Sequence, residues 1–143
     1  MILIDSNVLL YAKFVDLPQH ARAAQWLEAQ LNSPGRVGIP WQSSLAFLRL
    51  ATNPRIFRRP LAIRAAWEQV AEWLAHPRVW IPEPGEDHLL VLGRLLEHVQ
   101  ATANLVPDAH LAAIAIEHGL TVCSADADFA RFPEVAWLNP FNP

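Results

Sequence analysis

Short apolar runs and helical stripes of apolar residues alternate along the chain. Continuous apolar runs, which are typical of strands buried on both faces of a parallel sheet, occur at residues 2–4, 37–39, 79–81, 121–123 and 136–138. Apolar residues recur at helical spacing over about residues 18–32, 40–52, 61–75, 86–100 and 107–118. Proline and glycine fall mostly between these segments and mark their ends. Strands that alternate with helices in this way predict an α/β sandwich around a mainly parallel sheet.

The length and composition predict one packed domain spanning residues 1–143. The chain is 52% apolar and only 17% charged, which is typical of a globular domain rather than of a disordered one. Cys123 is the one cysteine, so the chain forms no internal disulfide. No apolar run approaches the roughly 20 residues that a membrane helix needs, and no signal peptide precedes Asp5. We therefore expect a cytoplasmic protein without a membrane segment.

Four aspartates follow or precede predicted strands in a way that suggests one site. Asp5 directly follows the first apolar run, and Asp126 and Asp128 follow the run at 121–123. Asp108 lies in the first turn of the helix that leads into that same run. Functional groups of open parallel sheets collect at the carboxyl ends of the strands. Clustered carboxylates repel one another unless they share protons or hold a divalent cation, and all-oxygen ligands favour Mg²⁺ or Mn²⁺, metals suited to phosphodiester hydrolysis.

Each aspartate also has a purely structural interpretation. Asp108 has the position to complement a helix dipole, Asp126 to cap the turn before Phe129, and Asp128 to sit in a surface turn. Asp5 is harder to explain in this way, because an acid that ends a fully apolar strand is partly desolvated unless it is paired or bound to metal. The combination is therefore more informative than any single aspartate.

A basic segment is the second candidate for chemistry. The net charge is −3, so contact with nucleic acid requires a local patch, and residues 49–64 contain no acid but five arginines: Arg49, Arg55, Arg58, Arg59 and Arg64. Arginine binds phosphate through two parallel hydrogen bonds, and such contacts supply most non-specific RNA affinity. Trp41 and Phe57 offer stacking surfaces for unpaired bases. The alternative is an ordinary solvated loop and helix face.

Two further residues were considered for function. Trp73 lies off the apolar stripe formed by Ile63, Trp67, Val70 and Leu74, so we expect it to be exposed on a partner or homodimer surface. His110 comes two residues after Asp108, so on a helix it points away from the acids.

Several segments resemble one known family of nucleases. Residues 2–10 (ILIDSNVLL) look like the opening of PIN domains, residues 106–119 (VPDAHLAAIAIEHG) resemble their third-acid helix, and residues 124–129 (SADADF) resemble their last acidic motif. Residues 47–57 (FLRLATNPRIF) are similar to a segment of the VapC toxins in particular. The resemblance implies a PIN-like three-layer α/β/α sandwich with a mainly parallel sheet of about four or five strands.

The resemblance also implies an activity, a cofactor and partners. It implies an endoribonuclease toxin that depends on Mg²⁺ or Mn²⁺, cleaves a structured cellular RNA such as tRNA or rRNA, is neutralised by a VapB-type antitoxin and forms a homodimer. By position, Asp5 and Asp108 would be the principal metal ligands, and Asp126 would bind directly or through water. Asp128 would support Asp126. Asn7 and Ser124 match the polar positions that orient the acids and the attacking water.

One departure from the family pattern leaves alternatives open. The family usually has a glutamate where this chain has Ala46, and the neighbouring Gln42, Ser43 and Ser44 are not anionic. The chain is therefore alternatively a catalytically weakened PIN domain that binds RNA or a partner. A third hypothesis is a phosphatase that uses Asp5 as nucleophile. It is disfavoured because such enzymes need an acid two residues later, where this chain has Asn7, and a lysine much farther downstream, whereas Lys13 is the only lysine of this chain.

Overall fold

A computed structural model describes residues 1–142 as an α/β domain. Its strands are β1 (Ile2–Ile4), β2 (Val37–Gly38), β3 (Val79–Trp80), β4 (Thr121–Cys123) and β5 (Ala136–Leu138). Its helices are α1 (Ser6–Lys13), α2 (His20–Leu31), α3 (Trp41–Ala51), α4 (Ile63–Ala75), α5 (His88–Val99) and α6 (Leu105–His118). A 3₁₀ turn covers Ala127–Arg131. None of the helices in this described part of the chain is long and apolar enough to cross a membrane.

The five strands form one parallel sheet in the order β3-β2-β1-β4-β5, with β1 at the centre. Alternate residues of the central strands face opposite sides. Leu3 and Val122 pack into a core formed with α5 and α6, whereas Ile4 and Cys123 pack into a second core formed with α1 to α4. The sheet is therefore covered on both faces, which confirms the predicted three-layer sandwich and explains why its strands read as unbroken apolar runs.

Helix α1 was not predicted from the hydrophobic pattern. Asp5 caps it by accepting a hydrogen bond from the Ser6 backbone N–H at 2.7 Å. Val8, Leu9 and Leu10 are all buried. A run that is apolar on consecutive positions has no helical period, so the sequence gives little sign of a helix even though tertiary burial stabilises one here.

Helix α4 presents a different face to the core from the one predicted. Ala66, Val70 and Trp73 are buried, whereas Ile63 and Trp67 are 63% and 48% exposed. The prediction that Trp73 is exposed is therefore wrong. The Trp73 ring packs edge-on against Phe47 of α3, with 5.0 Å between centroids. Trp67 and Trp73 both carry an indole, and the rotation of α4 that packs Trp73 beside α3 leaves Trp67 at the surface.

The turn from α6 into β4 brings a site residue of α6 close to the sheet. Gly119 ends α6 in the left-handed region at φ 66°, as predicted for a glycine after a helix. Its neighbour Leu120 donates a backbone hydrogen bond to Ala115 at 2.8 Å and starts the approach to β4. Pro107 is tolerated near the other end because a first-turn N–H has no partner within the helix. This short connection holds α6 directly over β4.

Candidate active site

The register of the two central strands brings Asp5 and Ser124 together. Ile4 pairs with Cys123, and the Asp5 backbone N–H donates to the Cys123 carbonyl at 3.0 Å. The next residue along each strand therefore emerges at the same carboxyl edge of the sheet. The Ser124 hydroxyl donates to Asp5 Oδ2 at 2.7 Å across that edge. Two segments more than a hundred residues apart in the sequence thus contact each other through both backbone and side-chain hydrogen bonds.

Asn7 and Ser124 connect Asp5 to the loop that carries Asp126. Asn7 Nδ2 lies 3.1 Å from Asp5 Oδ2 and 2.9 Å from Ser124 Oγ, and its Oδ1 accepts from the Ala125 backbone N–H at 3.1 Å. Ser124 Oγ also accepts from the Asp126 backbone N–H at 3.0 Å. Both polar residues singled out in the sequence therefore contact the acidic residues and hold their backbone in place.

Three carboxylates converge in front of this network. Asp108, Asp126 and Asp128 each offer an oxygen, and these oxygens all lie within 4.8 Å of one another. Asp126 Oδ1 also accepts from the Asp128 backbone N–H at 2.9 Å, which caps the 3₁₀ turn. Asp108 does lie in the first turn of α6. The structural roles considered for Asp126 and Asp108 are thus present, and they do not prevent the two side chains from sharing a site.

The electrostatics of the cluster disfavour full ionisation. Burial, followed by the charges of Asp126, Asp5 and Asp128, raises the pKa of Asp108 to about 7. Burial also raises the pKa of Asp5, with a further contribution from Asp126, although hydrogen bonds from Ser124 and Ser6 act in the opposite direction. A positive charge among these oxygens would relieve both desolvation and repulsion.

The donor set fits a hard divalent cation. Carboxylate oxygens are the ligands that Mg²⁺ and Mn²⁺ favour, and oxygens on opposite sides of Mg²⁺ are about 4.2 Å apart, so the trio needs only small side-chain adjustments. The sequence had placed Asp5 among the principal ligands and Asp128 in support. In the structure Asp128 belongs to the close trio, and the oxygens of Asp5, outside that trio, accept hydrogen bonds from Ser6, Asn7 and Ser124.

The α3 side of the site lacks an acid. Ala46 lines a groove between α3, α5 and α6 that also contains Arg49 and His110. Gln42 is engaged elsewhere, since its Nε2 donates to the Pro107 carbonyl at 2.9 Å. Ser43 is buried in the core side of α3, and its hydroxyl has no partner among residues 1–142. None of these residues supplies the charge that a glutamate at position 46 would provide.

The arginines of the basic segment are all exposed. All five arginines lie at the surface, and we call Arg55, Arg58 and Arg59 the loop arginines because they lie between α3 and α4. Arg64 differs from them because it pairs with Glu68 at 3.2 Å on the exposed face of α4.

The two aromatic residues proposed for base stacking differ in accessibility. Phe57 is stacked on Phe14 with 3.9 Å between centroids, so the prediction that it offers a free stacking face is not supported by its position. Trp41, at the start of α3, is 40% exposed and is the more accessible of the two.

His110 points away from the acids, as expected, but it is not an ordinary surface residue. It lines the groove beside Ala46 and hydrogen-bonds to His88. Burial and the neighbouring His88 lower the pKa of His110, although Glu117 acts in the opposite direction. No local pattern indicates this contact, because His88 lies on α5 and His110 on α6.

Residues 2–135 match the PIN domain family, and the chain belongs to that family. Ribonuclease VapC37 of Mycobacterium tuberculosis is 46% identical over 140 residues, which cover 98% of this chain and 97% of the relative. Within the PIN family the chain is therefore a member of the VapC group. Among solved structures, Mycobacterium tuberculosis VapC20, described as a sarcin-ricin loop cleaving toxin, matches with a TM-score of 0.69 at 20% identity, covering 95% of this chain and 99% of that one. A toxin-antitoxin complex from Klebsiella pneumoniae matches with a TM-score of 0.65 at 20% identity over 99% of this chain and 98% of that one.

Proposed function

We propose that this protein is a Mg²⁺- or Mn²⁺-dependent endoribonuclease and the toxin of a type II toxin-antitoxin pair. The observation that carries the proposal is the convergence of Asp108, Asp126 and Asp128 in front of Asp5 at the carboxyl edge of the sheet. The relationship to ribonuclease VapC37 over nearly the whole chain supports hydrolysis of RNA rather than another reaction at phosphate. We propose a structured cellular RNA, tRNA or rRNA, as the substrate.

Asp108, Asp126 and Asp128 would hold the cation, and Asp5 would add a fourth negative charge behind them. A bound divalent cation of this kind activates water and stabilises the leaving oxygen of a phosphodiester. Ser124 and Asn7 keep the carboxylates in fixed orientations through the hydrogen bonds described above. Rigid placement matters because a catalytic group must stay within a fraction of an ångström of its productive position.

The exposed arginines would bind the RNA backbone beside the acids. Arg49 lies in the same groove as Pro107, the residue directly before Asp108, so it is suited to a phosphate close to the cleaved bond. The loop arginines would bind phosphates farther away, and Trp41 would stack on an unpaired base. These contacts explain how a protein with a net charge of −3 binds a polyanion.

We also propose a VapB-type antitoxin as a protein partner, a homodimer as the assembly and the cytoplasm as the location. The structural match to the Klebsiella pneumoniae complex supports the first of these. Trp73 no longer supports the homodimer, because its ring is buried inside the chain. Size-exclusion chromatography with light scattering, with and without the co-expressed antitoxin, measures both assemblies directly.

The central experiment incubates the purified chain with total cellular RNA in Mn²⁺ or in chelator and maps the cut ends. We expect discrete cleavage only in Mn²⁺, and none with Asp5→Asn, which removes a charge but keeps the shape of the side chain. Asp87→Asn, an exposed acid outside the cluster and away from the loop arginines, is the matched control and should cleave normally. Binding of RNA without cleavage by the wild-type chain would instead favour the catalytically weakened PIN domain suggested by Ala46.

A further inference from the structure

A chain of three side chains crosses from α5 to α6 away from the acids. Glu117 Oε1 lies 2.7 Å from His88 Nδ1, and His88 Nε2 lies 2.9 Å from His110 Nδ1. The side chains of His88 and Glu117 are only 14% and 7% exposed. Glu117 and His110 are seven residues apart on α6, about two turns, so they share a face and His88 bridges the gap between them.

The far end of this chain is anchored by a backbone contact. Glu117 Oε2 accepts from the Gly85 backbone N–H at 3.0 Å. A Cβ atom at position 85 would lie 2.7 Å from the same oxygen, closer than real Cβ atoms approach, so glycine leaves the room for this contact. Both oxygens of Glu117 are therefore occupied, which fixes the carboxylate and, through it, the His88 ring.

With Glu117 ionised and His88 neutral, the hydrogen-bond distances assign the polarity of His110. An ionised Glu117 only accepts, so His88 Nδ1 carries a proton and donates to it. A neutral His88 then presents Nε2 as an acceptor, and His110 must donate from Nδ1. A neutral His110 with its proton on Nδ1 has a free lone pair on Nε2. Within residues 1–142 no protein group hydrogen-bonds to that nitrogen.

The surroundings of His110 are those of the substrate side of the molecule. It lines the groove that holds Ala46 and Arg49, and it also lines a neighbouring depression that contains Trp41. Gln42 contributes to both depressions. A cation for phosphate, a partly exposed indole and a hydrogen-bonded histidine thus line two adjoining depressions.

We propose that His110 is a substrate-binding residue whose Nε2 accepts a hydrogen bond from RNA, and that His88 and Glu117 are positioning residues. The donor is a ribose 2′-hydroxyl or the exocyclic amine of a base. The inference rests on the proposed ribonuclease function and adds a specificity contact to it. A prepositioned acceptor discriminates well, because a ligand without the matching donor leaves it desolvated and unpaired.

The test measures the affinity of the uncleaving Asp5→Asn protein for short homopolymers of U, A and C, each as RNA and as DNA. Adding His110→Phe keeps a planar ring but removes the acceptor. We expect the affected probes to bind about three- to tenfold more weakly, as for loss of one hydrogen bond. Equal weakening of all three RNAs with unchanged DNA identifies the 2′-hydroxyl. Weakening of A and C probes, with U unchanged, identifies the exocyclic amine.

Further variants separate binding from support of the fold. His110→Gln retains an acceptor near the Nε2 position and should recover part of the lost RNA affinity. If His110 were only a structural brace between α5 and α6, neither His110→Phe nor His110→Gln would keep the affinity of the parent. Gly85→Ala should lower affinity for the same probes as His110→Phe, since it displaces Glu117. His98→Phe, at an exposed position on α5, should bind like the parent.

Unchanged affinity of His110→Phe for every probe, in a parent that still binds RNA, would overturn this inference and leave the ribonuclease function intact. A parent that binds none of these probes would overturn this inference, and a wild-type chain that also leaves total cellular RNA uncut in Mn²⁺ would overturn the ribonuclease function as well. Circular dichroism and unfolding in urea, run on each variant, show whether a loss of affinity comes from the binding surface or from the fold.

Discussion

Replacing Asp108 by asparagine should abolish cleavage and, at the same time, stabilise the metal-free protein above neutral pH. Asp108 is half-buried next to Asp126 and Asp128, and its charge also opposes that of Asp5. Asparagine keeps nearly the same shape and removes the charge. The site therefore exchanges stability for function, as catalytic sites often do.

The magnitude follows from the pKa of Asp108, which rises from 3.8 to about 7 in the folded protein. Between these values the native state holds a proton that the unfolded state has released, so stability falls as pH rises through this window and is constant above it. A shift of this size corresponds to about 4 kcal/mol at most, and solvent screening of a half-buried side chain reduces it to about 2 kcal/mol. Asp108→Asn should match the wild type near pH 4 and exceed it by about 2 kcal/mol at about pH 8.

Urea unfolding at both pH values, with chelator present, measures this difference. Adding Mn²⁺ should stabilise the wild type by about 2.7 kcal/mol at a hundred times its dissociation constant and should have much less effect on Asp108→Asn. Asp87→Asn, an exposed cap of α5 whose side chain makes no cap hydrogen bond, is the control and should stay within about 0.5 kcal/mol. A variant that is less stable than the wild type at the higher pH would refute the electrostatic reasoning.

Three other changes test separate parts of the molecule. Replacing the loop arginines by alanine should weaken RNA binding and reduce the slope of log affinity against log salt concentration by about 2. Lysine replacements should retain the slope, and an unaltered slope in the alanine protein would exclude the loop arginines from RNA binding. Ala46→Glu should raise Mn²⁺ affinity in calorimetry, and an unchanged affinity would mean that position 46 does not face the ion. Gly119→Ala should destabilise the fold by about 1 kcal/mol because the φ of 66° at this position is strained for alanine. Gly93→Ala is the control and should be neutral or stabilising, because Gly93 lies within α5 and an added Cβ would contact no other atom there.

Much of the architecture was readable from the sequence because buried parallel strands leave a strong local signal. The five apolar runs became the five strands, with boundaries shifted by a residue in β2 and β3. The acids were readable for a related reason: residues that follow parallel strands gather at one edge. Asp5 and Ser124 do meet there, across the β1–β4 register.

The errors arose where packing, not local pattern, decides the outcome. Helix α1 has no helical period because Val8, Leu9 and Leu10 are all buried, and its helical state depends on α2 and α3 around it. Trp73 lies off the apolar stripe of α4, which indicates an exposed position, but the packing of α4 turns the face that carries Trp73 towards the core. The chain from Glu117 through His88 to His110 depends on a contact between α5 and α6, which the sequence does not reveal.

The kind of fold, the sheet edge at which the acids gather and the residue types available there follow from the sequence alone. Those properties depend on periodicity and on the order of elements, which are local. Tertiary packing decides which carboxylate oxygens approach one another, so that Asp128 rather than Asp5 completes the close trio. It also decides which nitrogen of His110 contacts His88. Such choices depend on distances of a few ångströms between side chains from different elements, and those distances are set by the packing of the whole domain.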